Sequence, residues 1–348
     1  MILQSVFLEN FRNFKKQTFT FEETTTLILG DNSKGKTNLL ESIFFICMGK
    51  GIKNEKQEEL IAFDENQTTI SAEFSDRDQI TRFRIGIEKG IGLKKTYLVN
   101  NSKKILGQYL KLAPPAVLFS PELMNVVSGQ PSERRSYIDM ILERIDIEYK
   151  KRLQNYQSGM RRRNKVLERE ENREKLKEVL TFWNTYLIEQ AIYIQEKREW
   201  ICAVLNKNPS LSGHSFSIEY IKNEMSEERF RDYADKEYYQ KRTLIGPQRD
   251  DYFLYKKSSE DVQDVNVHKY CSRGEQRLAL FWLIFNHIQI LYTELGAKPI
   301  VLLDDILSEL DEANKKVIFE QIEGYQTIIS TTEEDVVRGK GKKGIINL

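Results

Sequence analysis

The first motif in the sequence that is typical of a chemical site begins at position 30. A glycine, four further residues, a second glycine, a lysine and a threonine follow there, in the pattern G-x-x-x-x-G-K-[ST] of a P-loop. The glycines let backbone N–H groups turn inward around a β-phosphate, the lysine reaches the β- and γ-phosphates, and the threonine hydroxyl binds Mg²⁺. The predicted nucleotide-binding residues are Gly30, Asp31, Asn32, Ser33, Lys34, Gly35, Lys36 and Thr37.

The flanking residues predict the elements that must position this loop. Residues 24–29 form a short β-branched and apolar run, and residues 38–45 have the character of a helix. The positive N-terminal end of that helix would face the phosphates. A plain glycine turn between strand and helix is the alternative interpretation, and the strand–loop–helix context argues against it.

A second group of candidate residues stands near the end of the chain. Residues 299–303 are an apolar run, as expected of a central parallel strand, and they lead into Asp304 and Asp305. This is a Walker B pattern, in which Asp304 would hold Mg²⁺ through water and Asp305 could polarise the attacking water. We therefore predict Lys36, Asp304 and Asp305 as catalytic residues, with Thr37 and Asp304 at the magnesium site.

Most of the chain separates the two halves of this predicted site. A compact P-loop enzyme would bring its acidic strand much sooner, so a sizeable insertion is expected between them. Residues 122–240 are the natural candidate, because their apolar residues recur at helical spacing, from Ile138 to Met160 and again from Leu176 to Ile194. Two long amphipathic helices joined near residues 168–175 would pack as a hairpin.

Strand patterns occupy most of the N-terminal third. Residues 2–21 alternate between apolar and polar types around an aromatic corner, which predicts a hairpin. Arg12, at that corner, is expected to be a solvated strand-end arginine, with an approach to bound nucleotide as the alternative. Residues 70–99 predict an antiparallel meander, and residues 116–119 a buried strand.

Composition bounds the class of protein. The 348 residues carry a formal net charge of +1, so any binding to nucleic acid must come from a local basic patch. The three cysteines and three histidines have no metal-ligand spacing, which argues against a zinc site. No signal peptide is expected, and no apolar run approaches the length of a membrane span. We expect a soluble, cytoplasmic protein without a membrane partner.

A basic cluster lies in the predicted helical insertion, near the end of its first long helix. Runs of this kind are usually solvated helix faces, and the alternative is contact with the phosphate backbone of DNA. The candidate DNA contacts are Arg161, Arg162, Arg163 and Lys165.

Two further motifs distinguish the predicted site from that of an ordinary kinase or GTPase. Ser272, Gly274, Glu275 and Gln276 match the S-x-G-[QE]-Q signature of ABC-type ATPases, and Ser308 and Asp311 match their D-loop. The signature by itself could simply cap a helix, but the order and spacing of the whole set are specific. In ABC-type ATPases the signature contacts the γ-phosphate held by a second molecule, so the resemblance implies ATP sandwiched in a dimer.

Taken with its other motifs, the chain resembles the RecF family of recombination proteins. These are relatives of the SMC ATPases that have a short helical lobe instead of a long coiled coil. The similarity extends over almost the whole chain and rests on residues 8–14, the P-loop with residues 38–41, residues 119–122, residues 129–135 with Asp139, residues 246–251, the signature, and residues 303–311.

The resemblance implies an ATP- and Mg²⁺-dependent homodimer that binds single-stranded, gapped and duplex DNA and junctions. It implies a role in DNA replication, recombinational repair and SOS induction, in which the protein assists recombinase loading with mediator proteins of the RecO/RecR type. It also implies slow, DNA-stimulated ATP turnover that acts as a switch.

The sequence departs from the family pattern at a few positions. Ser33 stands where the family usually has glycine, Gln248 where it has histidine, and Lys53 where an arginine follows the P-loop helix. Residues 327–332 offer only hydroxyls where transporters have a switch histidine. These departures bear on the fine geometry and the turnover rate of the site.

The expected fold class is α/β, an ABC-type P-loop ATPase head with an inserted helical lobe. The expected division is residues 1–121 for the N-terminal part of the head, 122–240 for the lobe and 241–348 for the C-terminal part of the head. Two other function classes stay open. A transport-type ABC ATPase subunit would need a surface for membrane helices, and an ATP-binding scaffold without turnover would not need Asp304 and Asp305.

Overall fold

The computed structural model describes residues 1–51, 57–77, 79–208, 210–257, 263–305, 312–332 and 343–348. The chain divides into two compact units. The first unit is Met1–Leu123 together with Ile284–Leu348, and the second unit is Met124–Leu283.

The first unit contains an antiparallel sheet with six strands among its described residues. Its strand order is β2-β1-β4-β5-β6-β7. The strands, numbered in chain order, are β1 (Ile2–Phe11), β2 (Phe14–Thr20), β4 (Gln67–Asp76), β5 (Gln79–Lys89), β6 (Leu93–Val99) and β7 (Ser102–Lys104). The predicted hairpin at residues 2–21 and the predicted meander at residues 70–99 are both confirmed.

A parallel sheet in the same unit carries the two halves of the predicted site. Its described strands are β3 (Thr25–Leu29), β8 (Ala116–Phe119), β13 (Ile300–Asp304), β14 (Thr327–Thr331) and β15 (Lys343–Asn347). They lie in the order β15-β3-β14-β13-β8, and all neighbours are parallel. Because β13 lies inside the sheet, each of its five residues is buried, which explains its continuous apolar run.

The helix that follows the P-loop, α1 (Lys36–Met48), lies between the two sheets. It packs against β8, β13 and β14 of the parallel sheet and against β1, β4 and β5 of the antiparallel sheet. Eleven of its residues are buried, so it is apolar on nearly every side and has no strongly polar face. The described residues of this unit also include α2 (Leu106–Leu112) and α10 (Glu312–Gln321).

The second unit combines a helical hairpin with a small sheet. Its helices are α3 (Met124–Ser128), α4 (Pro131–Ile145), α5 (Ile147–Arg169), α6 (Arg173–Leu205), α7 (Glu227–Gln240) and α8 (Val267–Tyr270). Its described strands are β9 (Ser210–Leu211), β10 (His214–Ile221), β11 (Asp251–Lys256) and β12 (Val265–Asn266). Asp146 and Asn172 cap α5 and α6 by accepting hydrogen bonds from first-turn N–H groups. The predicted hairpin joined near residues 168–175 is confirmed, but the predicted first helix, from Ile138 to Met160, is divided at Asp146 into α4 and α5.

The second unit extends further along the chain than the sequence suggested. We expected the helical insertion to end at residue 240, but β10 pairs with β11 over six residues, from Phe216–Lys256 to Ile221–Asp251. This pairing joins the residues on both sides of position 240 into one sheet. The boundary of the second unit therefore moves to residue 283, and the signature residues belong to the second unit.

A buried network of charges fixes the interior of the second unit. Arg198 is 2 % exposed, and its guanidinium donates to both carboxylate oxygens of Asp139, at 3.0 and 2.9 Å, and to Asp250 at 2.8 Å. Arg134 makes a two-point contact with Asp251, at 2.7 and 3.0 Å. Of these five residues, four lie in the motifs that the chain shares with the RecF family, so those motifs hold the fold of this unit together.

The prediction that Arg163 contacts DNA is wrong, because its side chain is buried. It is 1 % exposed and donates to Glu237 at 2.6 Å and to Thr243 and Asn184 at 2.9 Å each. Its guanidinium also lies 4.4 Å from the centroid of the Phe230 ring. The other three candidates, Arg161, Arg162 and Lys165, are exposed on α5.

The sequence did contain a signal for the burial of Arg163. This residue lies four positions before Leu167 and seven after Tyr156, so it continues the apolar stripe of α5. Its neighbours in the basic run point elsewhere, because successive residues of a helix are about 100° apart.

The helix α9 (Arg273–Leu295) is long and apolar enough, by composition alone, to cross a membrane. In the described part of the chain it is the single helix that passes this test, which differs from the expectation that no run would approach that length. About 61 % of its most apolar window is buried within the protein, as is usual for a core helix.

We predict that Arg163→Ala lowers the stability of the protein by about 3–5 kcal/mol, because it leaves Glu237 buried without its partner. The matched variant Arg161→Ala removes an exposed arginine from the same helix and should change stability by less than about 0.5 kcal/mol. Urea unfolding followed by circular dichroism measures both. Equal midpoints for the two variants would contradict the burial of Arg163.

Candidate nucleotide-binding site

The P-loop follows β3 and ends at the first turn of α1, as its sequence pattern predicted. Gly35 has a φ of 107°, and a Cβ atom there would lie 2.5 Å from the Asn13 amide nitrogen and 2.9 Å from the Phe14 ring. Both the backbone conformation and the lack of space require glycine at this position. The loop thus turns sharply into the N-terminal turn of α1, the kind of helix end that binds phosphate.

Ser33 also occupies the left-handed region, with a φ of 70°. The family resemblance placed a glycine here, and the structure gives the reason. A non-glycine residue in this conformation carries a cost of order 1–3 kcal/mol, so the departure at Ser33 makes the loop less favourable than a glycine would.

The P-loop lysine is held against its own loop. Lys36 is 7 % exposed, and its ammonium donates to the carbonyl oxygens of Gly30 at 2.5 Å and Asp31 at 3.1 Å. These contacts keep a buried positive charge beside the backbone of the loop. The position suits a group that neutralises phosphate oxygens.

Hydrogen bonds bring the two halves of the predicted site together. The Thr37 hydroxyl donates to one carboxylate oxygen of Asp304 at 2.8 Å, and the Ser330 hydroxyl donates to the other at 2.6 Å. The P-loop, Asp304 and Ser330 stand at the carboxyl ends of β3, β13 and β14, and parallel strands place these ends at one edge of the sheet.

Asp304 is a perturbed carboxylate. Burial raises its pKa, the hydrogen bonds from Ser330 and Thr37 oppose that effect, and the charges of Glu122 and Asp305 add to it. The net direction is upward. Since a nearby cation would favour the charged form, Asp304 is suited to bind one.

A cavity of about 170 Å³ lies over these groups. Its lining combines the ammonium of Lys36 with the hydroxyl of Thr37 and the carboxylate of Asp304, so the cavity fits phosphate groups together with Mg²⁺. Within the described residues no group of three or more acidic, histidine or cysteine side chains that could hold a metal is found. The lining residues are Asn32, Ser33, Gly35, Lys36, Thr37, Asn38, Asp304 and Asp305.

Asp305 lines the same cavity with an unusual backbone. Its φ is 47°, and its N–H donates to the Ser330 carbonyl oxygen at 3.2 Å and the Ser330 hydroxyl at 3.1 Å. Ser330 therefore contacts both carboxylate residues. It belongs to the hydroxyl-rich segment at residues 327–332, whose role the sequence did not reveal.

The β1–β2 corner supports the P-loop from outside. The Asn13 amide donates to the Lys34 carbonyl oxygen at 3.1 Å, and the Asn38 amide donates to the Asn13 side-chain oxygen at 2.7 Å. Arg12 makes a two-point contact with Glu41 of α1, at 3.0 Å for each hydrogen bond. Arg12 is therefore neither the solvated strand-end arginine that we expected nor a group free to approach nucleotide.

The signature residues begin helix α9 in the second unit. The Ser272 hydroxyl accepts from the Glu275 N–H at 3.3 Å, and the Glu275 carboxylate accepts from the Ser272 N–H at 2.8 Å, which is a capping box. A salt bridge from Lys256 at 2.7 Å, helped by the Ser272 hydrogen bonds, lowers the pKa of Glu275 to about 2. Gln276 is buried and donates to three carbonyl oxygens before the helix, those of Val267, His268 and Cys271.

Among the residues that the structure describes, nothing packs against Gly274 closely enough to require glycine there. A Cβ atom there would meet nothing within 4 Å, and Ser272, Arg273 and Gly274 are all exposed. Glycine in a helix costs about 0.5–1 kcal/mol relative to alanine. The bare backbone at the positive end of α9 is therefore available to an anion that approaches from outside the molecule.

Three parts of the sequence prediction lie outside the described residues. These are the D-loop residues Ser308 and Asp311 and the arginine replacement Lys53.

The similarity to known proteins covers almost the whole chain. Residues 2–345 match the model of the RecF/RecN/SMC N terminal domain. The chain is 32 % identical over 358 residues to the DNA replication and repair protein RecF of Bacillus thuringiensis (strain Al Hakam), with 96 % of this chain and 93 % of the relative covered. The chain belongs to the RecF family. The RecF protein of Bacillus cereus (strain B4264) matches with the same identity and coverage.

Solved structures agree with this assignment. A structure of the recombination mediator protein RecF-ATPrS in the RecFOR pathway has a TM-score of 0.86 and 30 % identity, and 97 % of this chain and 94 % of that chain are covered. The corresponding RecF-ATP structure has a TM-score of 0.84 and 29 % identity, with the same coverage. The Smc head domain of Pyrococcus furiosus, at 18 % identity, a TM-score of 0.53 and coverage of 96 % and 90 %, shows the shared ATPase-head fold. The predicted fold class is confirmed.

We predict that Asp304→Asn stabilises the protein in the absence of nucleotide. Because the folded protein binds the Asp304 proton more tightly than the unfolded chain does, the wild type loses stability as pH rises through the raised pKa. Asparagine cannot ionise, so at neutral pH the variant should gain about 0.5–2 kcal/mol. The gain should shrink as the pH is lowered toward the raised pKa.

Calorimetry of the nucleotide-free protein over a series of pH values measures this difference. Asp31→Asn, an exposed carboxylate on the same loop, is the matched control and should stay within about 0.5 kcal/mol of wild type. A lower melting temperature for Asp304→Asn at neutral pH would show that burial is not the dominant influence on this carboxylate.

Proposed function

We propose that this protein is an ATP-dependent DNA-binding protein of DNA replication, recombinational repair and SOS induction. The observation that carries the proposal is the convergence of Lys36, Thr37 and Asp304 in one cavity, in a chain that also exposes an ABC-type signature at a helix N-terminus. The protein binds ATP and Mg²⁺ in this cavity. ATP then joins two copies into a homodimer that engages DNA.

The exposed signature supports assembly in trans. Ser272 and Gly274 present the positive end of a 23-residue helix to solvent, and packing among the described residues does not explain Gly274. A γ-phosphate held by the P-loop of a second copy has the charge and size that such a helix end binds. Each dimer would then contain two composite sites, each with a P-loop from one copy and a signature from the other.

The relatives support the cellular role. Curated relatives are DNA replication and repair proteins, and the matching structures are of a recombination mediator in the RecFOR pathway. By extension, this protein acts in the cytoplasm on single-stranded, gapped and duplex DNA, and it assists recombinase loading with mediator proteins of the RecO/RecR type. Its ATP turnover is slow, is stimulated by DNA and serves as a switch.

The two adjacent carboxylates have separate roles in this scheme. Asp304, bonded to Thr37, holds Mg²⁺, while Asp305 polarises the attacking water. We predict that Asp305→Asn slows hydrolysis and prolongs the ATP-bound dimer, whereas Asp304→Asn raises the Mg²⁺ concentration needed for ATP binding. ATP binding titrated with Mg²⁺ and single-turnover hydrolysis separate the two effects, and identical Mg²⁺ dependence in both variants would contradict the assignment.

We predict that Lys36→Ala abolishes ATP-dependent dimerisation, because it removes the charge that neutralises phosphate in the cavity. Ser272→Arg should bind ATP as a monomer but neither dimerise nor hydrolyse ATP. A mixture of the two variants should restore at most one composite site per dimer. Analytical ultracentrifugation with and without ATP measures these states.

Ser226→Arg is the matched control for Ser272→Arg. Ser226 caps α7 in the same unit with its hydroxyl, so this variant loses a helix cap without touching the signature. It should dimerise normally with ATP. Unchanged ATP affinity in Lys36→Ala would contradict the P-loop assignment, and ATP-dependent dimers of Ser272→Arg would contradict assembly in trans.

We predict that DNA binding is tight only with ATP, since dimerisation doubles the basic surface of a chain whose net charge is +1. Each phosphate neutralised on duplex DNA contributes a slope of about −0.9 to log K against log salt. Replacing Arg161, Arg162 and Lys165 by alanine should flatten that slope by roughly two to three units per protomer. Sequence preference should be absent.

A salt titration of binding to duplex and gapped DNA, with and without ATP, tests this prediction. Replacing Lys15, Lys16 and Lys94 by alanine removes the same charge from exposed positions of the first unit and is the control. An equal change of slope in both variants would move the DNA surface away from α5. No ATP-dependent DNA binding at all would favour the transport-type ATPase class.

A further inference from the structure

An exposed aromatic cluster lies on α6, in the second unit. Phe182 is 64 % exposed, and its ring stacks on Tyr186 with the planes at 17° and the centroids 6.3 Å apart. Trp183 meets Phe182 edge to face at 5.1 Å and Tyr186 at 5.9 Å. Three aromatic rings thus support one another, and the ring of Phe182 is the most exposed of them.

This cluster touches the basic cluster of α5. The guanidinium of Arg162 lies 5.8 Å from the centroid of the Trp183 ring. Tyr186 packs against the α5 backbone so closely that a Cβ atom at Gly159 would lie 2.9 Å from its ring. The three exposed cations Arg161, Arg162 and Lys165 therefore lie on the helix that borders the rings.

The net positive charge beside Phe182 comes from α5. On α6 itself, Lys175 lies two turns before Phe182, Glu178 one turn before and Glu189 two turns after. All three are exposed, so α6 contributes one more carboxylate than ammonium to this face. The neighbouring helix α5 exposes three cations over two turns: Arg161, Arg162 and Lys165. Glu168 is the exposed carboxylate in the same two turns. The surface is cationic and aromatic together.

We propose that Phe182 and Tyr186, flanked by Arg161, Arg162 and Lys165, form a platform on which bases of single-stranded DNA stack. Exposed rings beside cations that follow a phosphate backbone are how proteins bind single strands without reading their sequence. In a duplex the faces of the bases are stacked on one another, so the exposed ring of Phe182 could not stack on them. A helical protein partner would require a wider apolar groove than Phe182 and the exposed Val179 one turn before it provide.

This inference rests on the proposed function, because it assigns the single-stranded part of the DNA to a particular surface. It adds an interaction that the charge of α5 alone does not supply, namely stacking with the bases. Stacking and charge differ in their salt dependence, since the loss of a stack lowers affinity without releasing fewer counterions.

The test compares Phe182→Ala with wild-type protein in binding to oligothymidine in the presence of ATP. One lost stack should weaken binding roughly 5- to 150-fold at every salt concentration, with the slope of log K against log salt unchanged. Phe182→Tyr should retain binding, because a ring remains. Tyr239→Ala removes a 74 % exposed aromatic residue from α7 and should have no effect.

Three further readouts separate stacking from a loss of structure. Wild-type protein should bind an abasic oligonucleotide of the same length no better than Phe182→Ala binds oligothymidine. Intrinsic tryptophan fluorescence should be quenched by oligothymidine, and Trp183→Phe should remove most of that quenching. Phe182→Ala should bind duplex DNA like wild type.

The outcomes distinguish this inference from the function on which it rests. Suppose that wild type binds duplex and gapped DNA with ATP, but that wild type and Phe182→Ala bind oligothymidine with equal affinity. This result would overturn the platform and leave the proposed function standing. Equal affinity of wild type for abasic and normal strands would do the same. Wild-type protein that binds no DNA of any kind would remove the proposed function and the platform with it.

Discussion

The buried carboxylate of Asp304 is the group on which the nucleotide site depends. It accepts hydrogen bonds from Thr37 on the P-loop helix and from Ser330 on β14, so it joins three segments that are far apart in sequence. A buried anion that lost these donors would cost about 1–3 kcal/mol or more. The strand order places β14 between β3 and β13. This order therefore brings the residues of the site together and also supplies the hydrogen bonds that stabilise the buried carboxylate.

The loop around this carboxylate stores strain that its surroundings must hold in place. Ser33 and Asp305 both have positive φ values, at 70° and 47°. The Asn13 side chain bonds the loop carbonyl of Lys34, and Ser330 bonds the N–H of Asp305. Helix α1, buried between two sheets, gives these contacts a rigid base. Strain of this kind persists only where the structure around it over-determines the conformation, and such places are usually functional.

Some arginines of the second unit are buried in the fold, and others are exposed on its surface. Arg198 and Arg163 are buried and paired with carboxylates, so they fix the packing of the helical hairpin against α7 and the small sheet. Arg161 and Arg162, which precede Arg163 directly, remain exposed beside the aromatic residues of α6. Burial of a charge is tolerated only with a partner, so the position of Glu237 decides which arginine of the run serves the fold.

Some features could be predicted from the sequence because they depend on local requirements: the P-loop, the apolar Walker B strand and the helical hairpin joined near residues 168–175. A glycine at positive φ or a helical stripe constrains neighbouring residues, so it leaves a pattern that can be read along the chain. Only the tertiary structure decided that β10 pairs with β11, that Arg12 pairs with Glu41, and that Ser330 completes the surroundings of Asp304. It also decided that Glu237 is the carboxylate that pairs with Arg163, whose burial the apolar stripe of α5 already indicated. These features depend on partners distant in sequence, and a side chain carries no local mark of the partner that the fold will bring to it.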